Sequence, residues 1–428
     1  MLHTSPRKGL AQPPTVGDRA ARASGDSAAR SWSGPARRAL LAAISAPPPV
    51  PGPTGPSLDA LVAACDQDEL VSLAISQNVA GRAIETLGPL LDDPYLARIN
   101  RCVRDEAMRH MGLLATLESL GRALETAGVD WVVLKGPVLA EISYGPVTRG
   151  YSDLDLMVPS RQLRAAVCAL EGAGGDMAMN DWPSLVKDAK GEMTMTIRGL
   201  PLIDLHWHLV SKGRARQRYA LPSDELIERR HKVSLGQVEA WALEPTDFAA
   251  HIALHATFSG THRLRWLVDI ERTLVNQPPD WDELVRRCQA WRVGLPVSVA
   301  LNRARETVGA RVPKEVITDL AGGNLQRFVI RQLGGWMPAG HMPGGRSVKN
   351  GVARSLRDSL LTSTTEFAGE TWQTLGDLVR AKSPGAGTHH RGEGPGQVSF
   401  ENYLDLVSRV DTYGHSSKVP GNSSALRK

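Results

Sequence analysis

Gly150-Tyr151-Ser152-Asp153-Leu154-Asp155-Leu156-Met157-Val158 places two carboxylates two positions apart inside a short apolar run. Side chains alternate along a strand, so Asp153 and Asp155 point to one face while Leu154, Leu156 and Val158 support them from the other. An isolated D-x-D is common on solvated strands and turns; its company gives this one weight. A Lys135-Gly136 turn lies upstream, and a third acid, Asp204, falls on a later strand candidate. Acids crowded on adjacent strands raise one another's pKa, and a divalent cation is the usual remedy. Oxygen ligands suit Mg²⁺ or Mn²⁺, which keep positions open for phosphate oxygens, so the pattern points to phosphoryl or nucleotidyl transfer.

The flanking residues alternate between two periodicities. Residues 131–134 read as a strand, 137–144 as a short helix and 151–158 as a second strand. Ser160 is expected to cap a helix ending near residues 172–175, and residues 192–198 and 202–210 read as two further strands around a Gly199-Leu200-Pro201 turn. Together these make an α/β module over residues 129–221. Residues 57–128 read as helical, most clearly where Met111, Leu114, Leu117, Leu120 and Leu124 recur at three- and four-residue spacing, with Gly128 as the stop. Beyond Pro222 the period is helical again, giving a domain over residues 222–337. Residues 1–56, rich in Pro, Ala, Ser and Arg, bury too little apolar surface to offset ordering and read as a disordered tail. Residues 338–428 read as low-complexity and largely disordered, with helix candidates at 351–379 and 401–410.

Composition narrows the function classes. The chain has 428 residues, 42% hydrophobic and 22% charged, which is globular material sufficient for two or three domains. No apolar run approaches the roughly 20 residues that span a bilayer, so no membrane association is expected. The net charge of +5 is concentrated in residues 1–56, where seven Lys/Arg face two acids; the near-neutral remainder argues against a nucleic-acid partner. Cys65, Cys102, Cys168 and Cys288 are far apart and form no C-x-x-C, which fits free thiols in a reducing, cytoplasmic setting.

Several polar residues carry more than one reading. Lys135 is a strand-end lysine that either stays solvated or contributes a point charge to phosphate. Arg149 binds phosphate or pairs with Asp153 or Asp155. His206 and His208 share the strand face of Asp204, so either approaches the nucleotide or metal or is simply a half-exposed strand histidine. His251 and His255 lie four apart on one helical face, a spacing that holds zinc, yet the glutamate of H-E-x-x-H is missing and packing is the simpler reading. Trp266 with Arg263 and Arg265 fits a helix packed on the module, with base stacking as the alternative.

The succession Val132-Val133-Leu134-Lys135-Gly136, Tyr144, Arg149, Ser152-Asp153-Leu154-Asp155-Leu156 and Ile203-Asp204-Leu205-His206-Trp207 resembles the uncharacterised bacterial nucleotidyltransferase family within the DNA polymerase β-like superfamily. The later stretches 244–255 and 264–269 are similar to the helical region of that family, and the resemblance spans roughly residues 60–310. It implies an α+β fold: a small mixed β-sheet module flanked by helices, followed by a helical domain, with disordered tails outside. It also implies roles. Asp153 and Asp155 match the paired metal ligands. Asp204 matches the third acid, which joins the metal and helps deprotonate an acceptor hydroxyl; that hydroxyl attacks the α-phosphate of an NTP and expels pyrophosphate. Lys135-Gly136 stands where the wider superfamily has a Gly-Ser phosphate turn, and Gly136 still admits a close approach of backbone to phosphate. The implied cofactors are Mg²⁺ or Mn²⁺ with NTP as co-substrate, and the acceptor is a small molecule, a peptide or a protein. Two alternatives stay open: a catalytically degenerate NTP-binding regulatory protein, and a transferase acting on tRNA or another RNA.

Overall fold

Asp153–Met157 forms a central strand, β2, of a mixed sheet whose register decides where the acids meet. The computed structural model describes residues 34–46, 56–145, 149–178, 182–197, 200–323, 399–411 and 413. Its strands are β1 Val132–Val133, β2, β3 Gly175–Met177, β4 Glu192–Ile197, β5 Leu200–His206, β6 His231–Leu235 and β7 Val238–Ala242, in the spatial order β3-β4-β5-β2-β1-β7-β6. β2 runs antiparallel to β1 and parallel to β5, β4 is antiparallel to β5, and β7 is parallel to β1. The fold is α+β with a mixed sheet flanked by helices.

The sheet is larger than the sequence pattern suggests. β6 and β7 form a hairpin within the stretch that reads as helical beyond Pro222, and β7 extends the sheet past β1. Val233, Leu235, Val238, Ala240 and Ala242 alternate along it, and Gly236 turns the chain at φ +60°. The strand candidate 202–210 is shorter than expected, because the β5 ladder ends at His206. Ser160 does not cap a helix either; it opens a 3₁₀ turn, Ser160–Gln162, that leads into the helix Leu163–Gly172.

Helices cover both ends of the chain's folded body. Four short ones, α1 Gly34–Ile44, α2 Leu58–Ala63, α3 Gln67–Ser76 and α4 Ala80–Leu87, precede the long α5 Asp93–Thr126. α1 corrects the reading of residues 1–56 as a uniform disordered tail: Ala36, Ala39, Leu40, Ala43 and Ile44 recur at helical spacing and are buried against the following helices. In α5, Ile99, Leu113, Leu117, Leu120 and Leu124 are buried, Leu114 is half-buried and Met111 is exposed, so the buried stripe runs through Leu113 rather than Met111. The bare Cα of Gly121 lets Trp131 pack on the helix, since a Cβ there would lie 2.7 Å from the indole ring. Gly128 ends the connection at φ +68°, as expected.

After the strands come α6 Leu163–Gly172, α7 Trp182–Asp188, α8 Gly213–Arg216 and α9 Ser223–Glu228, then α10 Pro245–Phe258, α11 Leu264–Asn276, α12 Trp281–Ala290, α13 Gly294–Val308 and α14 Lys314–Ala321. Pro245 occupies the first turn of α10, and the Glu244 carboxylate accepts from the backbone N–H groups of Thr246 and Asp247. α10 is buried on nearly every side, being packed among α11, α12 and α13 with one face toward the sheet. The helix candidate 351–379 lies outside the described residues. The one at 401–410 is seen as α15 Phe400–Val407, which seats Tyr403 against Trp207 with the indole Nε1 donating to the phenol oxygen at 2.9 Å. No helix among the described residues is long and apolar enough to cross a membrane.

Candidate active site

Parallel pairing of β2 with β5 sets Asp155 directly opposite Asp204, and Asp153 one pleat away opposite Leu202. All three carboxylates therefore emerge on the same face. One ligand oxygen from each lies within 4.8 Å of the others, and among the described residues this is the group of acids, cysteines or histidines able to hold a metal ion. Asp155 is 2% exposed, whereas Asp153 and Asp204 are half-buried. An all-oxygen set of this size fits a hard divalent cation that keeps part of its coordination sphere for water or phosphate.

Basic groups already crowd the innermost acid. Lys135 Nζ lies 2.8 Å from Asp155 Oδ1, and His206 Nε2 lies 3.3 Å from the same oxygen. Burial alone would push the Asp155 carboxyl up, but Lys135 and then His206 outweigh it and hold the group far below the usual carboxylate range. Burial likewise opposes the Lys135 ammonium, and Asp155 with Asp153 reverses the sign, leaving its pKa raised. His206 is also raised: the hydrogen bond to Asp155 and the charge of Glu192 overcome desolvation. Asp204 behaves differently. Burial, then the neighbouring Asp155 and Asp153 charges, raise its carboxyl despite a hydrogen bond of 2.8 Å donated by Thr194 Oγ1.

β4 supplies a set of groups that the motif reading did not identify. Its antiparallel register puts Thr194 opposite Asp204 and Glu192 opposite His206. Glu192 Oε2 is 3.5 Å from His206 Nδ1, and Lys190 Nζ is 3.3 Å from Glu192 Oε1. A line of alternating charge thus runs from Lys135 through Asp155, His206 and Glu192 to Lys190. The available signal was the period-two spacing of Glu192 and Thr194, which places both on the face of the acids once the partner strand is known.

A cavity of about 420 Å³ opens along this line. Its sheet-side wall holds Lys135, Asp155, Asp204, His206 and Glu192; its opposite wall is the face of α10 that carries His251, Leu254, His255 and Phe258. Asp153, Gly136 and Arg149 do not line it. His251 and His255 stand with ring centroids 6.3 Å apart and belong to no group of metal-ligating side chains among the described residues, so their four-residue spacing does not make a zinc site. Burial pushes the His251 imidazole down to about 3, with Lys135 and His206 adding to the effect, and His255 is depressed for the same first reason.

The remaining candidates separate cleanly. Gly136 turns at φ +57°, and a Cβ there would meet the Tyr151 ring at 3.2 Å, so the turn after β1 fits closely over that ring. The Tyr151 hydroxyl is in turn hydrogen-bonded to His110 Nδ1 on α5 at 2.7 Å. Arg149 pairs with neither Asp153 nor Asp155. Its guanidinium donates twice to Asp269 on α11, Nε to Oδ1 at 2.6 Å and a terminal nitrogen to Oδ2 at 2.7 Å, and Tyr144 donates its hydroxyl to the same carboxylate at 2.8 Å. His208, expected on the face of Asp204, lies past the end of β5; it is fully buried, its Nδ1 accepts from the Val210 backbone N–H, and it does not line the cavity. Trp266 is 8% exposed with the Arg263 guanidinium 5.8 Å from its ring, which is the packing role.

Residues 63–309 match the profile of a family described as uncharacterised nucleotidyltransferase, a span that contains the whole sheet, the acids and α10 to α13. No curated protein matches the chain. Three acids brought to one face by the β2–β5 register, and a family match over more than half of the residues, lead to one conclusion: the chain belongs to this nucleotidyltransferase family and is a transferase enzyme.

Proposed function

We propose that the protein transfers an NMP group from an NTP to an acceptor hydroxyl and releases pyrophosphate, using Mg²⁺ or Mn²⁺ held by Asp153, Asp155 and Asp204. The observation that carries this reading is the convergence of those three carboxylates within 4.8 Å, with Asp155 and Asp204 on the cavity wall. A bound divalent cation would neutralise charge on the phosphate chain. The protein's own groups do the rest. Asp204, whose carboxyl is raised by burial and by its acidic neighbours, takes the proton of the acceptor hydroxyl as that oxygen bonds to the α-phosphorus and the bond to the pyrophosphate oxygen breaks. His206 steadies Asp155, and Glu192 steadies His206. Lys135 supplies positive charge at the end of β1, beside the Gly136 turn where backbone approaches phosphate. Arg149, closed on Asp269, positions the chain entering β2.

The four cysteines are all free thiols, which supports a reducing, cytoplasmic setting. The test is incubation of the purified chain with each NTP, a divalent cation and a cell extract, followed by mass-spectrometric detection of an NMP adduct and assay of pyrophosphate. The adduct is expected with the wild type and absent with Asp153→Asn or Asp155→Asn; pyrophosphate release that survives both substitutions removes the proposal. A second reading, an NTP-binding regulatory protein without turnover, is favoured by the ion pair between Lys135 and Asp155, which already engages a carboxylate of the acid group. Metal-dependent NTP binding in a calorimeter, with no adduct from any extract, would establish it.

A further inference from the structure

The cavity is asymmetric about the acids. Asp204, the group assigned above to take the acceptor's proton, lies on its wall, and Asp153 and the Gly136 turn do not. The space therefore runs from Lys135 and Asp155 past Asp204 toward α10, and so extends beyond the acids on the side from which the hydroxyl arrives. Its far wall, on α10, is apolar at Leu254 and Phe258 and carries an unsatisfied polar atom: His251 is 6% exposed and its Nε2 has no hydrogen-bond partner among the described residues. A buried imidazole nitrogen left unpaired is destabilising, so such an atom on a cavity wall is a place where an occupant's polar group belongs.

Resting on the nucleotidyl-transfer reading, we propose that this cavity is the acceptor subsite, that the acceptor is a small molecule with an apolar body and a hydroxyl, and that His251 Nε2 hydrogen-bonds a second polar group of it. The volume of about 420 Å³ lies in the range of pockets that enclose a small organic molecule. The polar part of the wall holds both signs of charge, Lys190 standing 3.3 Å from Glu192, and so offers no positive track for a nucleic-acid backbone. Burial disfavours the charged form of the His251 ring, so it engages an occupant through a hydrogen bond rather than an ion pair.

The experiment uses the full chain, Mg²⁺ and NTPs labelled at the α-phosphate, with a cell extract divided by ultrafiltration into small-molecule and macromolecular fractions. Label is expected in the small-molecule fraction. Label confined to the macromolecular fraction overturns the acceptor assignment and leaves nucleotidyl transfer standing; label in neither overturns both. With the labelled compound in hand, His251→Phe should raise the acceptor KM roughly tenfold with little change in kcat, the effect of one lost buried hydrogen bond, and His251→Gln should recover part of it. Leu254→Trp, which fills the cavity, should do the same or more while metal-dependent NTP binding persists. Unchanged acceptor KM in both His251→Phe and Leu254→Trp, each verified as folded by thermal melting, would show that the acceptor binds elsewhere.

Discussion

Two clusters of buried charge, one around Asp269 and one around Asp155, are built on opposite principles. Around Asp269 every group is closed: Arg149 fills both carboxylate oxygens, Tyr144 adds a third donor, and all three side chains are buried. Around Asp155 the arrangement is open, with an excess of carboxylates, a cavity alongside, and charges that alternate outward to Lys190. The first cluster ties the segment entering β2 to α11 and leaves no atom for a ligand. The second leaves oxygens of Asp153 and Asp204 facing space. Saturated buried ion pairs hold a fold in register; unsaturated ones, set at a cavity edge, are where chemistry is done.

Substitution should separate the clusters by kind of effect. Asp155→Asn is expected to remove about a thousandfold or more of turnover, the several kcal/mol of phosphate-charge stabilisation that a metal ion held there would provide, with the cooperative melt retained; a pyrophosphate assay beside a melting curve tests both halves. Asp269→Ala should do the reverse. It strands Arg149 as an unpaired buried charge and costs about 3–5 kcal/mol of stability by urea titration, while turnover per folded molecule changes little. If Asp269→Ala instead lowers turnover as severely as Asp155→Asn in fully folded protein, the contrast collapses.

Two smaller effects sharpen the picture. Lys135→Gln takes the ammonium away from Asp155 and leaves only His206 on Oδ1, so divalent-ion binding in the absence of nucleotide should tighten a few-fold, while KM for NTP rises roughly tenfold through loss of a charge beside the acids. Isothermal titration with Mn²⁺ and steady-state kinetics give the two numbers, and a Lys135 that only fills space would move neither. The smallest effect is pH-dependent. The folded pKa of His206 is raised above its unfolded value, so its contribution to stability is complete below about pH 6.5 and is lost as pH rises through the folded pKa. In the absence of metal, His206→Gln should therefore flatten the fall in stability on the alkaline side of pH 6.5, measured by denaturant titration across neutral pH.

Much of the site was legible in residue order because strand periodicity is a local property. Asp153 and Asp155 had to share a face, and Asp204 with Ile203 and Leu205 around it had to lie on another buried strand. The alternation of Val233 to Ala242 around Gly236 carried an equally local hairpin signal, which the helical reading beyond Pro222 passed over. The same holds for α1, whose apolar spacing was masked by the Arg- and Pro-rich composition around it. Other features had no local signal. Asp269 is far from Arg149 in sequence, and nothing in either neighbourhood announces the pair. His208 shares the period of Asp204 but falls beyond the point where β5 stops pairing, so periodicity overran the strand.

The sequence by itself determined which face of each strand the acids occupy, and hence the chemical type of the site, because side-chain alternation depends only on neighbouring residues. Tertiary structure alone decided that Asp155 meets Asp204, that Glu192 reaches His206, and that α10 closes a cavity over them with His251 facing inward to it. Those contacts follow from inter-strand register and helix packing, which are set by the burial of the whole core rather than by any stretch of chain that could be read alone.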